Sequence, residues 1–171
     1  MHVVLLTPAK QRPHPRTEAP QVREQFLLFR VGDEIYGLGI RGLWEVLLPE
    51  GVTDLPTAPY QVCTALAYRG RRIPLVRMGE LFGVATDKLP STARVLLTQG
   101  QGRPLGLLVD EVLEVVEVDP ARIAKVPAMA TLLSPGFFRG LFSRNGRVIL
   151  LIDQEGLAGF EQVVGFYTVV P

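Results

Sequence analysis

From Gln25 onward the chain alternates short apolar runs with glycine-centred turns. FLLFRV leads into Gly32-Asp33 and leaves through IYGLGI. Aromatic and β-branched flanks around a two-residue turn predict a β-hairpin. Helical spacing is scarce, the best candidates being residues 60–65, 77–82 and 154–158. In VDEVLEVVEVD the apolar residues Val109, Val112, Leu113 and Val116 fit a helix, but its five valines favour a strand.

An internal repeat decides that ambiguity. A shift of 69 positions lays FLLFRVGDEIYGLGIRGLWEVL over VLLTQGQGRPLGLLVDEVLEVV without a gap, matching Gly37 to Gly106, Leu43 to Val112 and Glu45 to Glu114. The first copy carries Gly37, Gly39 and Gly42, which a helix tolerates poorly, so both copies are expected to be strands that bend or bulge. Farther on, YRGRRIPLVRMGELFG resembles RNGRVILLIDQEGLAG, with Gly70, Val76, Leu81 and Gly83 meeting Gly146, Ile152, Leu157 and Gly159. The shift is larger there, which places an insertion in the irregular stretch around PAMATLLSPG.

The expected fold is therefore all-β with a few short helices: two pseudo-symmetric small barrels around a shared hydrophobic core, since either half alone has a meagre one. Residues 1–24 read as a flexible arm, because Pro8, Pro13, Pro15 and Pro20 lie among polar residues. The globular part spans residues 25–160, its lobes roughly 25–90 and 91–160 with possible strand exchange between them. The tail 161–171 is apolar and is expected to pack on a barrel or pair with another chain.

Composition narrows the function. With 171 residues, 47% of them hydrophobic and 20% charged, the chain is ordinary for a packed domain, and a net charge of +1 supplies no global field for nucleic acid or an acidic membrane. No apolar run approaches the roughly 18 residues of a membrane span. A single cysteine excludes an intramolecular disulfide and points to a cytoplasmic setting.

Catalytic candidates are thin. His2 and His14, the only histidines, both lie in the proline-rich arm, so no metal site and no histidine base is expected. Cys63 sits in an apolar stretch and reads as a buried structural thiol. The carboxylates Glu45 with Glu50, and Asp110 with Glu111, read as solvated surface, and Gly100, Gly102 and Gly106 as a turn rather than a phosphate cradle. The arginine cluster Arg69, Arg71, Arg72 and Arg77 beside Tyr68 has three readings: a solvated hairpin tip, a protein-docking patch, or a single-strand nucleic-acid contact through arginine and aromatic stacking. Trp44 reads as either a core aromatic or an interface anchor.

FRVGDEIYGLGIRGLWEVL and VTDLPTAPYQVCTALAYRGRRIPLVRMGELFG, followed by GLLVDEVLEVVEVDPARI and GFFRGLFSRNGRVILLID, resemble in series the CheW family over residues 25–160. That resemblance implies two five-stranded SH3-like barrels, no cofactor and no catalysis. It implies a cytoplasmic adaptor, recruited to membrane receptor arrays, that joins a chemoreceptor signalling tip to the regulatory domain of a CheA-type histidine kinase. Nucleic acid is not an expected partner, nor is insertion into the membrane. Leu43, Glu45 and Arg69 fall at receptor-facing positions of the family, with Trp44, Tyr68, Arg71 and Arg72 as neighbouring interface candidates. The sequence departs from the family's Asn-Leu-Arg-Gly turn, carrying Ala67 and Tyr68 before Arg69, and Thr64 stands where glycine is common. An accessory homologue binding only one partner is the alternative within the family, and a nucleic-acid module using the 69–72 hairpin is the alternative outside it.

Overall fold

A computed structural model describes residues 19–53, 63–84, 88–127 and 135–169. In chain order the elements are β1 (Glu24–Val31), β2 (Glu34–Gly39), a 3-10 turn (Ile40–Gly42), β3 (Leu43–Leu47), β4 (Val52–Thr53), β5 (Cys63–Tyr68), β6 (Arg71–Arg77) and α1 (Met78–Leu81). The second half supplies β7 (Arg94–Gly100), β8 (Arg103–Val109), β9 (Glu111–Val118), 3-10 turns at Pro120–Arg122 and Pro135–Phe137, β10 (Phe138–Arg144), β11 (Arg147–Ile152), α2 (Gln154–Ala158) and α3 (Glu161–Val169).

Two sheets form, in the orders β10-β11-β2-β1-β9 and β3-β7-β8-β6-β5-β4. Under the repeat β1 corresponds to β7, β2 to β8, β3 to β9, β5 to β10 and β6 to β11, and the two orders then coincide, with β4 added to the second. The pairing repeats residue for residue: Leu28 opposes Gly37 and Leu97 opposes Gly106. Each sheet draws strands from both halves of the chain, so a cut at residue 90 divides both of them.

The repeated glycines have a packing cause. A Cβ on Gly37 would stand 2.7 Å from Leu151 Cδ2, and one on Gly106 would stand 2.8 Å from Leu75 Cδ1. Leu151 and Leu75 come from β11 and β6, the strands that pair in parallel with β2 and β8. The two parallel crossings therefore need a missing side chain at the same place in each copy.

Alternation along the strands builds three layers of core. On β1, Phe26 and Leu28 fill one lobe while Leu27, Phe29 and Val31 face the centre, and on β7, Val95 and Leu97 fill the other lobe while Leu96 faces the centre. The central layer also holds Tyr36, Leu38, Val76, Leu105, Leu107 and Ile152. Because β1 and β7 are buried on both faces, their sequences read as continuous apolar runs.

The lobes are curled sheets rather than fully closed barrels, a refinement of the expected architecture. In the five-stranded lobe one antiparallel bridge, Ala124 with Leu141, joins the segment after β9 to β10. The second lobe carries a sixth, two-residue strand, β4.

Three local expectations differ. Residues 63–65 belong to β5 rather than to a helix, Ala65 being wholly buried beneath the sheet, while 60–62 lie outside the described residues. β1 begins at Glu24, which pairs with Arg139 at 2.9 Å, and the arm's residues 1–18 lie outside the described residues. Within the tail, Glu161–Val169 form the helix α3, whose Val163 and Phe166, three positions apart, enter the central core. The Gln162 side-chain carbonyl accepts the Cys63 N–H at 3.0 Å, and the Tyr167 hydroxyl donates to the Pro104 carbonyl. Tertiary burial thus overrides the strand preference of VVGFYTVV.

Candidate protein-docking surface

β3 lies at the edge of the six-stranded sheet, paired only with β7 among the described residues. Its register shifts between Leu43 and Glu45, leaving Trp44 as an extra residue. A bulge of this kind re-aims a side chain, and Trp44 is 52% exposed. Trp44 is therefore not a core aromatic. Val46 and Leu48 are exposed as well, whereas Leu43, Glu45 and Leu47 are half-buried. Sequence reading singled out Trp44 but not Val46 and Leu48, although the i, i+2, i+4 spacing carries the signal.

The β5–β6 hairpin turns at Arg69 (φ 47°) and Gly70 (φ 75°). Two successive residues in the left-handed region make the tight turn that suits twisted strands. The corresponding turn of the second half is Asn145-Gly146, with φ of 51° and 75°. Asparagine adopts this conformation readily through its short polar side chain, and arginine has no such compensation. Backbone economy therefore does not account for Arg69.

The turn meets the bulged strand at Glu45, which both Tyr68 and Arg69 approach. The Tyr68 hydroxyl donates to Glu45 Oε2 at 2.7 Å, and Arg69 Nη2 stands 3.7 Å from the same oxygen. The Arg69 guanidinium lies over the Tyr68 ring, 5.0 Å from its centroid, with its side chain 76% exposed. The hydrogen bond to Glu45 is the main cause that raises the Tyr68 phenol above its usual pKa. β3 and β5 are far apart in the sheet order, so this contact also draws the curled sheet together.

Arg71 and Arg72 open β6 and are exposed beside the turn. Arg77 ends the same strand, about 20 Å away at strand rise, and pairs with Glu80 at 3.5 Å. It does not belong to the cluster in which the sequence placed it.

The repeat puts a related patch on the other lobe. β9 has its own register shift against β1, Leu113 and Val115 are exposed, and Glu114 pairs with Arg144 at 3.1 Å. There the glutamate closes directly on an arginine.

Cys63, Asp110 and Glu111, weighed for chemistry, are engaged in structure. Burial pushes the Cys63 thiol up to about 11, which keeps it protonated near neutral pH. Asp110 accepts the Gly32 N–H at 2.7 Å, and Glu111 accepts from Arg30 Nη2 at 2.7 Å. Among the described residues no group of three or more His, Cys, Asp or Glu is placed to hold a metal ion, and no helix is long and apolar enough to cross a membrane.

Comparison with known proteins adds a consistent set of likenesses. A family model described as CheW-like domain matches residues 25–162. The chain is 29% identical over 145 residues to the chemotaxis protein CheW of Klebsiella aerogenes, covering 83% of this chain and 86% of that one. It is 27% identical over 138 residues to the CheW of Rhizobium meliloti, covering 81% and 89%. The crystal structure of the scaffolding protein TtCheW from Thermoanaerobacter tengcongensis superimposes with a TM-score of 0.74 at 25% identity, covering 86% of this chain and 95% of that one.

Proposed function

Because this chain belongs to the CheW-like family, we propose that it is a non-catalytic chemotaxis adaptor, coupling the cytoplasmic signalling tip of a chemoreceptor to the regulatory domain of a CheA-type histidine kinase. The observation that carries the reading is the meeting of the bulged edge strand with the Arg69 turn. An arginine in a left-handed turn pairs with a glutamate of an edge strand that also exposes a tryptophan, on a scaffold where Cys63, Asp110 and Glu111 serve structure. Such a surface fits a helical hairpin tip: Trp44 and Leu43 take apolar side chains, and Arg69 forks onto a carboxylate or carbonyl.

Coupling then follows from rigidity. Both lobes share one packed core, so a partner held on one face and a partner held on another keep a fixed relation. The adaptor works in the cytoplasm and reaches the membrane through the receptor.

The test is direct binding, with a receptor tip and a kinase regulatory domain offered separately to the full chain. Both are expected to bind, and Arg69→Ala is expected to weaken only the receptor complex. Binding of one partner alone would identify an accessory homologue, and binding of neither would remove the adaptor reading. The nucleic-acid reading finds less support, because Arg69 covers one face of the Tyr68 ring on which a base would stack.

A further inference from the structure

β9 is an edge strand. Among the described residues it pairs only with β1, so its outward N–H and C=O groups have no ladder partner there. Leu113 is 40% exposed and Val115 51%. An apolar edge of this kind recruits another strand unless something covers it. We infer that the run VVLL at residues 3–6 of the same chain lies along β9 and covers Leu113 and Val115, closing that edge to strands of other proteins.

The apolar pattern of the two segments matches. β9 sets Leu113 and Glu114 against the single residue Leu28 of β1, and on either side of this bulge Val112 packs on the central core and Val116 on the core of the lobe. The strand thus offers apolar contacts on both of its faces. What covers it is best served by apolar residues at successive positions rather than alternate ones, and residues 3–6 are such a run.

Charge selects the same occupant. Residues 110–119 carry Asp110, Glu111, Glu114, Glu117 and Asp119 and no cation. Arg30 and Arg144 pair with Glu111 and Glu114, but the Glu114 side chain stays 56% exposed, and Glu117 meets only the Gln25 amide, at 3.3 Å, among the described residues. Two copies of β9 would set glutamates against glutamates, which disfavours pairing between chains. The residues that follow VVLL instead bring Lys10, Arg12 and Arg16 against the lone acid Glu18. The counterpart edge β3 faces a hairpin that displays Arg69, Arg71 and Arg72, where a basic segment is repelled.

The chain also arrives at the right place. β1 starts at Glu24, opposite Val118 at the end of β9. Leu113 lies about 17 Å from Val118 at strand rise, whereas the proline-bearing residues 7–23 can extend to about 50 Å. A tether of that length holds the run beside β9 at an effective concentration on the order of millimolar.

The test uses the full chain with His2→Cys carrying a nitroxide, Cys63 being buried. In NMR the amide signals of residues 113–117 are expected to broaden, and to recover when Leu5→Asp is added. A second readout needs no label: hydrogen exchange at the outward amides of β9 should be about tenfold slower in the wild type than in Leu5→Asp. Glu117→Lys, on the exposed side of β9, should also lower that protection. Residues 113–117 left sharp beside the nitroxide, or exchange unchanged by Leu5→Asp or by Glu117→Lys, would overturn the inference. So would broadening of isotope-labelled, nitroxide-free copies mixed with nitroxide-bearing ones, which would show the run lying on a second copy instead of its own.

Discussion

At the residue scale, the proposed receptor contact sets stability against function at Arg69. Its counterpart Asn145 shows what the turn itself prefers, since asparagine adopts the left-handed conformation more readily than arginine. Arg69→Asn is therefore expected to leave the fold intact and to raise unfolding free energy by about 0.5 kcal/mol, while binding to the receptor tip falls. Thermal melting and affinity measured on one preparation would expose this opposition, and a variant that lost both would mean that the arginine serves the fold. Thr64 makes the complementary case. It is wholly buried and its hydroxyl has no hydrogen-bond partner among the described residues, where an unmet buried polar group costs about 1–3 kcal/mol. Thr64→Val is expected to raise the unfolding free energy read from urea titration by about 1 kcal/mol, and with it the midpoint, with no change in partner binding. A lower midpoint would show that the hydroxyl is satisfied in solution.

At the element scale, what was legible in the sequence is what repeats locally. The hairpin at Gly32-Asp33, the strand character of 111–118 and the helix at 154–158 follow from turn chemistry, valine content and the repeat. The C-terminal helix was not legible as a helix, because Val163 and Phe166 become an apolar stripe only when β5 and β6 offer a surface. The candidate docking surface was legible in its parts, Leu43 through Glu45 and Tyr68 through Arg72, but not in its central contact. Tyr68 and Glu45 lie 23 residues apart on distant strands of one sheet, and only its curl brings them to 2.7 Å. The glycines at the parallel crossings give this scale its prediction. Gly106→Ala sets a methyl group against Leu75, and Gly37→Ala sets one against Leu151. Overpacking of this kind costs about 1–3 kcal/mol, so both variants should melt earlier. Shortening the opposing leucine to alanine should recover part of the loss made by its own glycine variant and none of the other's. Denaturant titration of the two double variants would decide it, and equal recovery across the crossings would refute the local clash.

At the scale of the whole molecule, the exchange of strands sets what the protein can be divided into. The repeat suggests two lobes meeting near residue 90, where residues 88–92 are exposed. Both sheets cross that boundary, so strands are exchanged between the lobes. Residues up to 90 keep β1 and β2 without β9, β10 and β11, and keep β3 without β7. The remainder keeps β7 and β8 without β3 and β6. In each piece the central layer loses half its members, and strands buried on both faces become edges. Two polypeptides divided at residue 90 should therefore show no cooperative melting alone, and on mixing they should assemble into one complex with the circular dichroism and partner binding of the intact chain. The break itself falls in an exposed loop and cuts no sheet pairing, so the rejoined complex should lose little beyond the entropy of association. A piece that melts cooperatively by itself would mean that one half holds a complete core, and the adaptor would then be two linked modules rather than one body able to hold two partners in a fixed relation.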